Sequence, residues 1–124
     1  MILLVDTSVW IDHLRCANAQ LSQLLCGNQV SMHSMITGEL ACGNLRNRSE
    51  LLALWQQLPK VKEASHQEVL YAIDQYQWMG KGIGYIDAHL LASTLLTDNT
   101  VLWTLDKRLQ QTSVSLGVAF CHSQ

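Results

Sequence analysis

The chain has 124 residues, is 48% hydrophobic and carries a single proline, which describes one globular domain, since roughly 100 to 200 residues make one. A chain of this size buries about two-thirds of the surface that its unfolded form exposes, so its core needs no disulfide staples. The formal net charge of −2 lacks the basic footprint usual for phosphate binders, and the first apolar run ends at Asp6, far short of the ~20 residues of a membrane helix. A soluble, cytoplasmic protein with no membrane association is expected.

Ile2-Leu3-Leu4-Val5 is an unbroken apolar run, as expected of a strand covered on both faces of a parallel sheet. Thr7 or Ser8 can cap a helix to about Leu14, and a second helix from Ala19 to Cys26 stops at Gly27. Gln29 to His33 reads as the next strand. Thr37-Gly38-Glu39-Leu40-Ala41 starts another helix, which Gly43 and Asn44 loosen. Asn47 or Ser49 restarts it with an apolar stripe of Leu51, Leu52, Leu54, Trp55 and Leu58, ended by Pro59. Lys60 to Ala64 is a brief third strand. Ser65-His66-Gln67-Glu68 matches a capping box, and the helix it opens should run to Gly80 with Val69, Leu70, Ile73, Tyr76 and Trp78 on its buried side. Gly80 to Gly84 is a loop, a helix follows from about Ile86, and Thr100 to Trp103 is a buried strand. A short helix from Lys107 to Gln111 and a last strand at Val118 to Phe120 complete the chain. Strands alternating with helices predict a three-layer α/β/α sandwich with a largely parallel central sheet, because parallel neighbours need crossover connections.

In such sheets the ligand crevice lies beyond the carboxyl ends of the strands. Asp6 and Asp106 each follow a strand directly, Glu39 comes shortly after the second strand, and Asp87 opens the helix that leads into Thr100 to Trp103. Each acid alone is explained equally well by a helix N-terminus, which a carboxylate complements by about 0.3 to 1 kcal/mol. Four together are a different matter. Two ionised carboxylates 4 Å apart repel by about 4 kcal/mol at an effective dielectric of ~20, so clustered acids need a shared proton or a cation. Mg2+ or Mn2+ suits an all-oxygen donor set, and such an ion activates water and offsets the charge of a phosphodiester.

These residues resemble a known family, the PIN-domain ribonucleases, in particular the VapC-like toxin components of type II toxin–antitoxin modules. The likeness spans nearly the whole chain. It is carried by Ile2 to Ile11 with the run Val5-Asp6-Thr7-Ser8, by Gly38-Glu39-Leu40-Ala41-Cys42-Gly43, by Gly84-Tyr85-Ile86-Asp87-Ala88-His89-Leu90-Leu91-Ala92, and by Leu102-Trp103-Thr104-Leu105-Asp106. The resemblance implies that Asp6, Asp87 and Asp106 bind metal, that Glu39 does so directly or through water, and that Ser8 and Thr104 support them. It implies metal-dependent cleavage of structured RNA such as tRNA or ribosomal RNA, a translation-inhibiting toxin neutralised by a cognate antitoxin, and a homodimer. Arg15, Arg46, Arg48, Lys81, Lys107 and Arg108 are the candidates for RNA contact. The competing reading is a PIN-like module that binds RNA or protein without cutting.

Other chemistries fit less well. His13, His33, His66, His89 and His122 raise a histidine-pair nuclease, but His66 is a first-turn helix residue, His122 lies near the end of the chain and His89 points away from Asp87 two positions earlier. An aspartyl-phosphate enzyme wants a second acid where Ser8 stands. Gly80-Lys81-Gly82-Ile83-Gly84 follows a helix rather than a strand, unlike a dinucleotide-binding loop. Cys16, Cys26, Cys42 and Cys121 show neither Cys-x-x-Cys nor zinc-site spacing and are expected to be buried thiols. Trp10, Ile11 and Leu14, or Trp55 and Trp78, could form an apolar contact patch, with core burial preferred for most of them. Asp12, Asp74, Asp98, Glu50, Glu63 and Glu68 are assigned to caps or solvated faces.

Overall fold

The computed structural model describes residues 1–121, so His122 lies outside the described residues. The elements in order are β1 (Ile2–Val5), α1 (Thr7–Cys16), α2 (Ala19–Cys26), β2 (Val30–Ser31), α3 (Ser34–Ala41), α4 (Arg48–Gln57), α5 (His66–Tyr76), α6 (Tyr85–Leu96), β3 (Thr100–Trp103) and α7 (Lys107–Ser115). The strands pair in parallel in the order β2-β1-β3. One parallel bridge extends the sheet on each side, Met32 to Lys60 and Leu102 to Ala119.

From β1 the chain moves outward through β2 to Lys60, then crosses back to β3 and continues to Ala119. Right-handed crossovers therefore set α1 to α4 on one face and α5 to α7 on the other. The packing agrees: Trp10 of α1 meets Trp55 of α4 edge to face at 5.9 Å, while α5 packs on α6 and α6 on β3. This is an α/β sandwich whose strand order reverses between β1 and β3. Leu3, Leu4, Val5 and Leu102 are fully buried between the two layers, with Val9 and Trp55 on one side and Val69, Leu90, Leu91 and Leu109 on the other. Burying each such aliphatic side chain contributes about 1.5 to 3 kcal/mol.

Several boundaries differ from expectation for identifiable reasons. Lys60 to Ala64 forms one bridge rather than a strand, because the Lys62 N–H donates to Thr97 Oγ1 at 2.9 Å and the Ala64 N–H to Ser93 Oγ at 3.0 Å. Side chains of α6 and of its C-cap residue thus accept from donors that a neighbouring strand would have used. Val118 to Phe120 is likewise a bridge rather than a strand, joined to Leu102 by bonds of 2.7 and 2.9 Å. Helix α3 begins at Ser34 rather than Thr37. His33 Nδ1 accepts from the Met35 N–H at 3.0 Å, and Glu63 accepts from Ser34 N–H and Oγ–H. Helix α5 ends at Tyr76 rather than Gly80, where Gln77 turns left-handed at φ 55° and donates its N–H to Ile73. The capping box at its start is present, with bonds of 2.8 and 3.1 Å between Ser65 and Glu68.

Burial corrects three further expectations. Leu70 and Tyr76 are 46% and 45% exposed, the buried face of α5 being Val69 and Ala72 with Ile73 half-buried. Leu70 sits 100° round the helix from Val69 and so leaves that stripe, while Tyr76 stacks on Trp78 at 5.5 Å. In α4, Leu54 is exposed and Trp55 alone is fully enclosed. All four cysteines are exposed free thiols rather than core residues. Cys16, Cys26 and Cys42 each stand at a helix C-terminus, where the chain turns out of the packed layer.

Candidate active site

The C-terminal ends of β1 and β3 lie side by side where the strand order reverses, the place where parallel sheets open a crevice. Asp6 follows β1 as the N-cap residue of α1, and it is only 7% exposed. Its side chain makes no capping bond to the helix. Oδ2 instead accepts from Ser8 Oγ at 2.8 Å and from Thr104 Oγ1 at 2.7 Å. Both hydroxyls are themselves held from β3's far end, since Thr104 Oγ1 accepts from the Asp106 N–H and Ser8 Oγ from the Leu105 N–H, each at 3.0 Å. The two oxygens lie 3.3 Å apart. A buried carboxylate that makes no bond to its helix's N–H groups and is braced by two hydroxyls is positioned for something other than capping.

Asp106 does cap its helix: Oδ1 accepts from the Arg108 and Leu109 N–H groups at 2.9 and 3.0 Å. The structural explanation accounts for that one oxygen of Asp106. Glu39 projects from α3 and accepts at Oε1 from Thr7 Oγ1 at 2.6 Å, which ties it to the turn carrying Asp6. Thr7 had been read only as a helix cap. Its role as the anchor of Glu39 spans 32 residues of sequence, and the sole local hint was its place directly after Asp6.

Asp87 completes the group from the first turn of α6, where Oδ2 accepts from the Gly84 N–H at 3.3 Å. Its carboxyl is raised above the ordinary value, first by burial and then by the charges of Asp6, Asp106 and Glu39, with the Gly84 bond opposing. The four acids thus share one electrostatic neighbourhood although they come from four separate segments. Among the described residues, no three Asp, Glu, His or Cys side chains are gathered tightly enough to enclose an ion unaided. An open, all-oxygen set suits a hard cation, which keeps several waters and takes one or two carboxylates together with substrate phosphate.

Residues 3–114 match the PIN-domain family. The chain belongs to that family. It is 41% identical over 117 residues to Ribonuclease VapC32 of Mycobacterium tuberculosis, in both strain CDC 1551 / Oshkosh and strain ATCC 25618 / H37Rv, with 94% of each chain covered.

His33, His66 and His89 of this PIN domain form their own network, the His33 and His89 rings meeting edge to face at 5.8 Å. His33 Nε2 meets Ser93 Oγ at 3.0 Å, while the Tyr85 hydroxyl meets His66 Nδ1 at 2.6 Å and His89 Nε2 at 3.0 Å. His89 does point away from Asp87, as its spacing required. The basic candidates separate into four groups. Arg48 donates to the Gly43 and Ala41 carbonyls and so closes the end of α3. Arg15 and Arg46 line a groove of about 440 Å³ with Ile11, Leu14, Leu45 and Leu51, and Arg15 lies about 13 Å along α1 from Asp6 at 1.5 Å per residue. Lys81 and Arg108 line a smaller pocket together, while Lys107 opens α7 as an exposed residue. Among the described residues no helix is long and apolar enough to cross a membrane.

Proposed function

We propose that this PIN domain is a metal-dependent endoribonuclease that hydrolyses phosphodiester bonds of structured RNA, tRNA or ribosomal RNA, and so acts as a translation-inhibiting toxin. The observation that carries the reading is the buried Asp6 carboxylate braced by Ser8 and Thr104 at the strand ends, with Asp87 close enough that the charges of Asp6, Asp106 and Glu39 help to raise its carboxyl. The kinship with a VapC ribonuclease supports it. A bound Mg2+ or Mn2+ supplies charge neutralisation at the scissile phosphate and a nucleophilic water at neutral pH.

The residues divide the remaining work. Ser8 and Thr104 hold Asp6 Oδ2 in one orientation, so Asp6 has its other oxygen, Oδ1, free of them and would hold the ion. Thr7 holds Glu39 in the same way. Asp106 uses Oδ1 to cap α7 and has Oδ2 left for the site. Burial and three like charges oppose the negative form of Asp87, which a bound cation would favour. Without the ion the pocket repels a phosphodiester. With it, the same pocket admits one.

A cognate antitoxin is the proposed neutralising partner, a homodimer the proposed assembly and the cytoplasm the proposed site of action. The test is direct. Purified protein freed of its partner cleaves RNA with Mg2+ or Mn2+, chelator abolishes cleavage, and Asp6→Asn or Asp87→Asn removes it while the circular dichroism spectrum is unchanged. RNA binding without cleavage in every metal tried would make the protein a non-catalytic module instead. Sequencing RNA ends after brief induction, with Asp6→Asn as control, names the target.

A further inference from the structure

The second pocket beside the acids is of opposite charge. Lys81, Arg108, Gln111, Thr112 and Ser115 line a cavity of about 310 Å³ between the loop joining α5 to α6 and the outer face of α7. The Arg108 side chain lies directly against the loop: a Cβ built on Gly82 would come 2.5 Å from Nη1 and 2.9 Å from Nε. Gly82 has φ +77°, so glycine here meets both the left-handed turn and the close approach. The guanidinium is held by packing, with no carboxylate or carbonyl partner among the described residues. The Lys81 ammonium likewise has no partner among the described residues.

The donors left for a ligand follow from the other bonds. Thr112 Oγ1 donates to the Arg108 carbonyl at 3.1 Å and Ser115 Oγ to the Thr112 carbonyl at 2.8 Å, so both hydroxyl protons are committed. The Gln111 amide, the Lys81 ammonium and the Arg108 guanidinium remain. Two cations and an amide donor with no internal acceptor specify an anion, and a guanidinium fork matches phosphate oxygens. Both walls run straight into the acid site: the Arg108 N–H binds Asp106 Oδ1, and the loop ends at Gly84, whose N–H binds Asp87 Oδ2.

We propose that Lys81, Arg108 and Gln111 form a phosphate subsite that takes a backbone phosphate of the RNA adjoining the one placed at the acids. This rests on the nuclease reading for its substrate but not for its test. The remaining candidates divide accordingly, Arg48 serving α3 and Arg15 and Arg46 lying at the far end of α1.

The experiment measures fluorescence anisotropy of a fluorescein-labelled RNA oligonucleotide against salt concentration in chelator, where no cleavage occurs and the acids hold no phosphate, so that the slope reads the basic contacts alone. Each phosphate contact to a single strand contributes about 0.7 to the slope of log affinity on log salt. Lys81→Ala and Arg108→Ala each lower the slope by about 0.7, and the double variant by about 1.4. Lys62→Ala, beyond the opposite edge of the sheet, leaves it unchanged. Gln111→Ala weakens binding about threefold without changing the slope. Slopes equal to wild type in the Lys81 and Arg108 variants, with wild-type melting temperatures, overturn the subsite. If those variants lose slope while the wild type cleaves no RNA with any metal, the subsite stands and the nuclease reading falls. If the wild type cleaves and the slopes do not move, the reverse holds.

Discussion

Replacing Asp87 by Asn separates a carboxylate kept for chemistry from one kept to cap a helix. In its capping role Asp87 favours the α6 dipole by about 0.3 to 1 kcal/mol, and Asn retains an oxygen that can accept from the Gly84 N–H. Opposing this are burial and the charges of Asp6, Asp106 and Glu39. A pair of like charges 4 Å apart costs about 1 kcal/mol in bulk water and about 4 kcal/mol at a dielectric of ~20. At an effective dielectric between those limits, burial and the three like charges outweigh the capping term, and neutralisation yields a net gain of about 1 kcal/mol. For a domain of this length that is about 4 °C in Tm. The assay is thermal and urea unfolding of wild type and Asp87→Asn in chelator, followed by circular dichroism.

The pH dependence has a definite sign. The folded carboxyl titrates above its ordinary value of 3.8, so its ionised form costs stability at neutral pH. That cost disappears as pH falls through the folded pKa towards the ordinary value. The advantage of Asn is therefore largest near pH 7 and closes on acidification, while RNA cleavage is lost at every pH. A variant less stable than wild type at neutral pH in chelator would refute this reasoning and leave Asp87 as a cap.

Three further outcomes follow from the same structure. Thr104→Val keeps the shape of a buried residue but removes the donor to Asp6 and the acceptor for the Asp106 N–H, so urea unfolding should show a loss of about 2 kcal/mol and cleavage should fall with it. Ser65→Ala removes one arm of the α5 capping box and should cost about 1 kcal/mol with no change in cleavage per folded molecule. His33, 1% exposed, has its pKa lowered first by burial, with Glu63 opposing and His89 adding to the effect. Its stabilising neutral form is fully present above the unfolded value of 6.5 and is lost as pH falls below it, because protonating Nδ1 breaks the bond from the Met35 N–H. The slope of stability between pH 7 and pH 5 should shrink in His33→Asn, and an unchanged slope would remove His33 from the account.

What could be read from the chain was what short-range chemistry writes into it. The apolar run before Asp6, the capping box at Ser65 and the strand before Thr104 all depend on residues within a few positions, and all are where the pattern placed them. The acids at strand ends were legible because a parallel sheet puts such positions at its crevice. The errors lie where distant segments intervene. Helix α3 starts early because Glu63, 29 residues on, binds Ser34. Lys60 to Ala64 leaves the sheet because α6 supplies hydroxyls to its main chain. Helix α7 runs on to Ser115 as buried Thr112 and Ser113 turn their hydroxyls back onto carbonyls four residues earlier. The anchoring of Glu39 by Thr7, and the contact of Arg108 with Gly82, join segments that no local pattern connects.

Binding of Mn2+ measured by isothermal titration calorimetry tests the shared acid site most directly. Wild type should bind the ion with a defined stoichiometry, and Asp6→Asn and Asp87→Asn, each folded, should each weaken that binding at least tenfold. Equal affinity in all three proteins would mean that the acids do not hold the cation together.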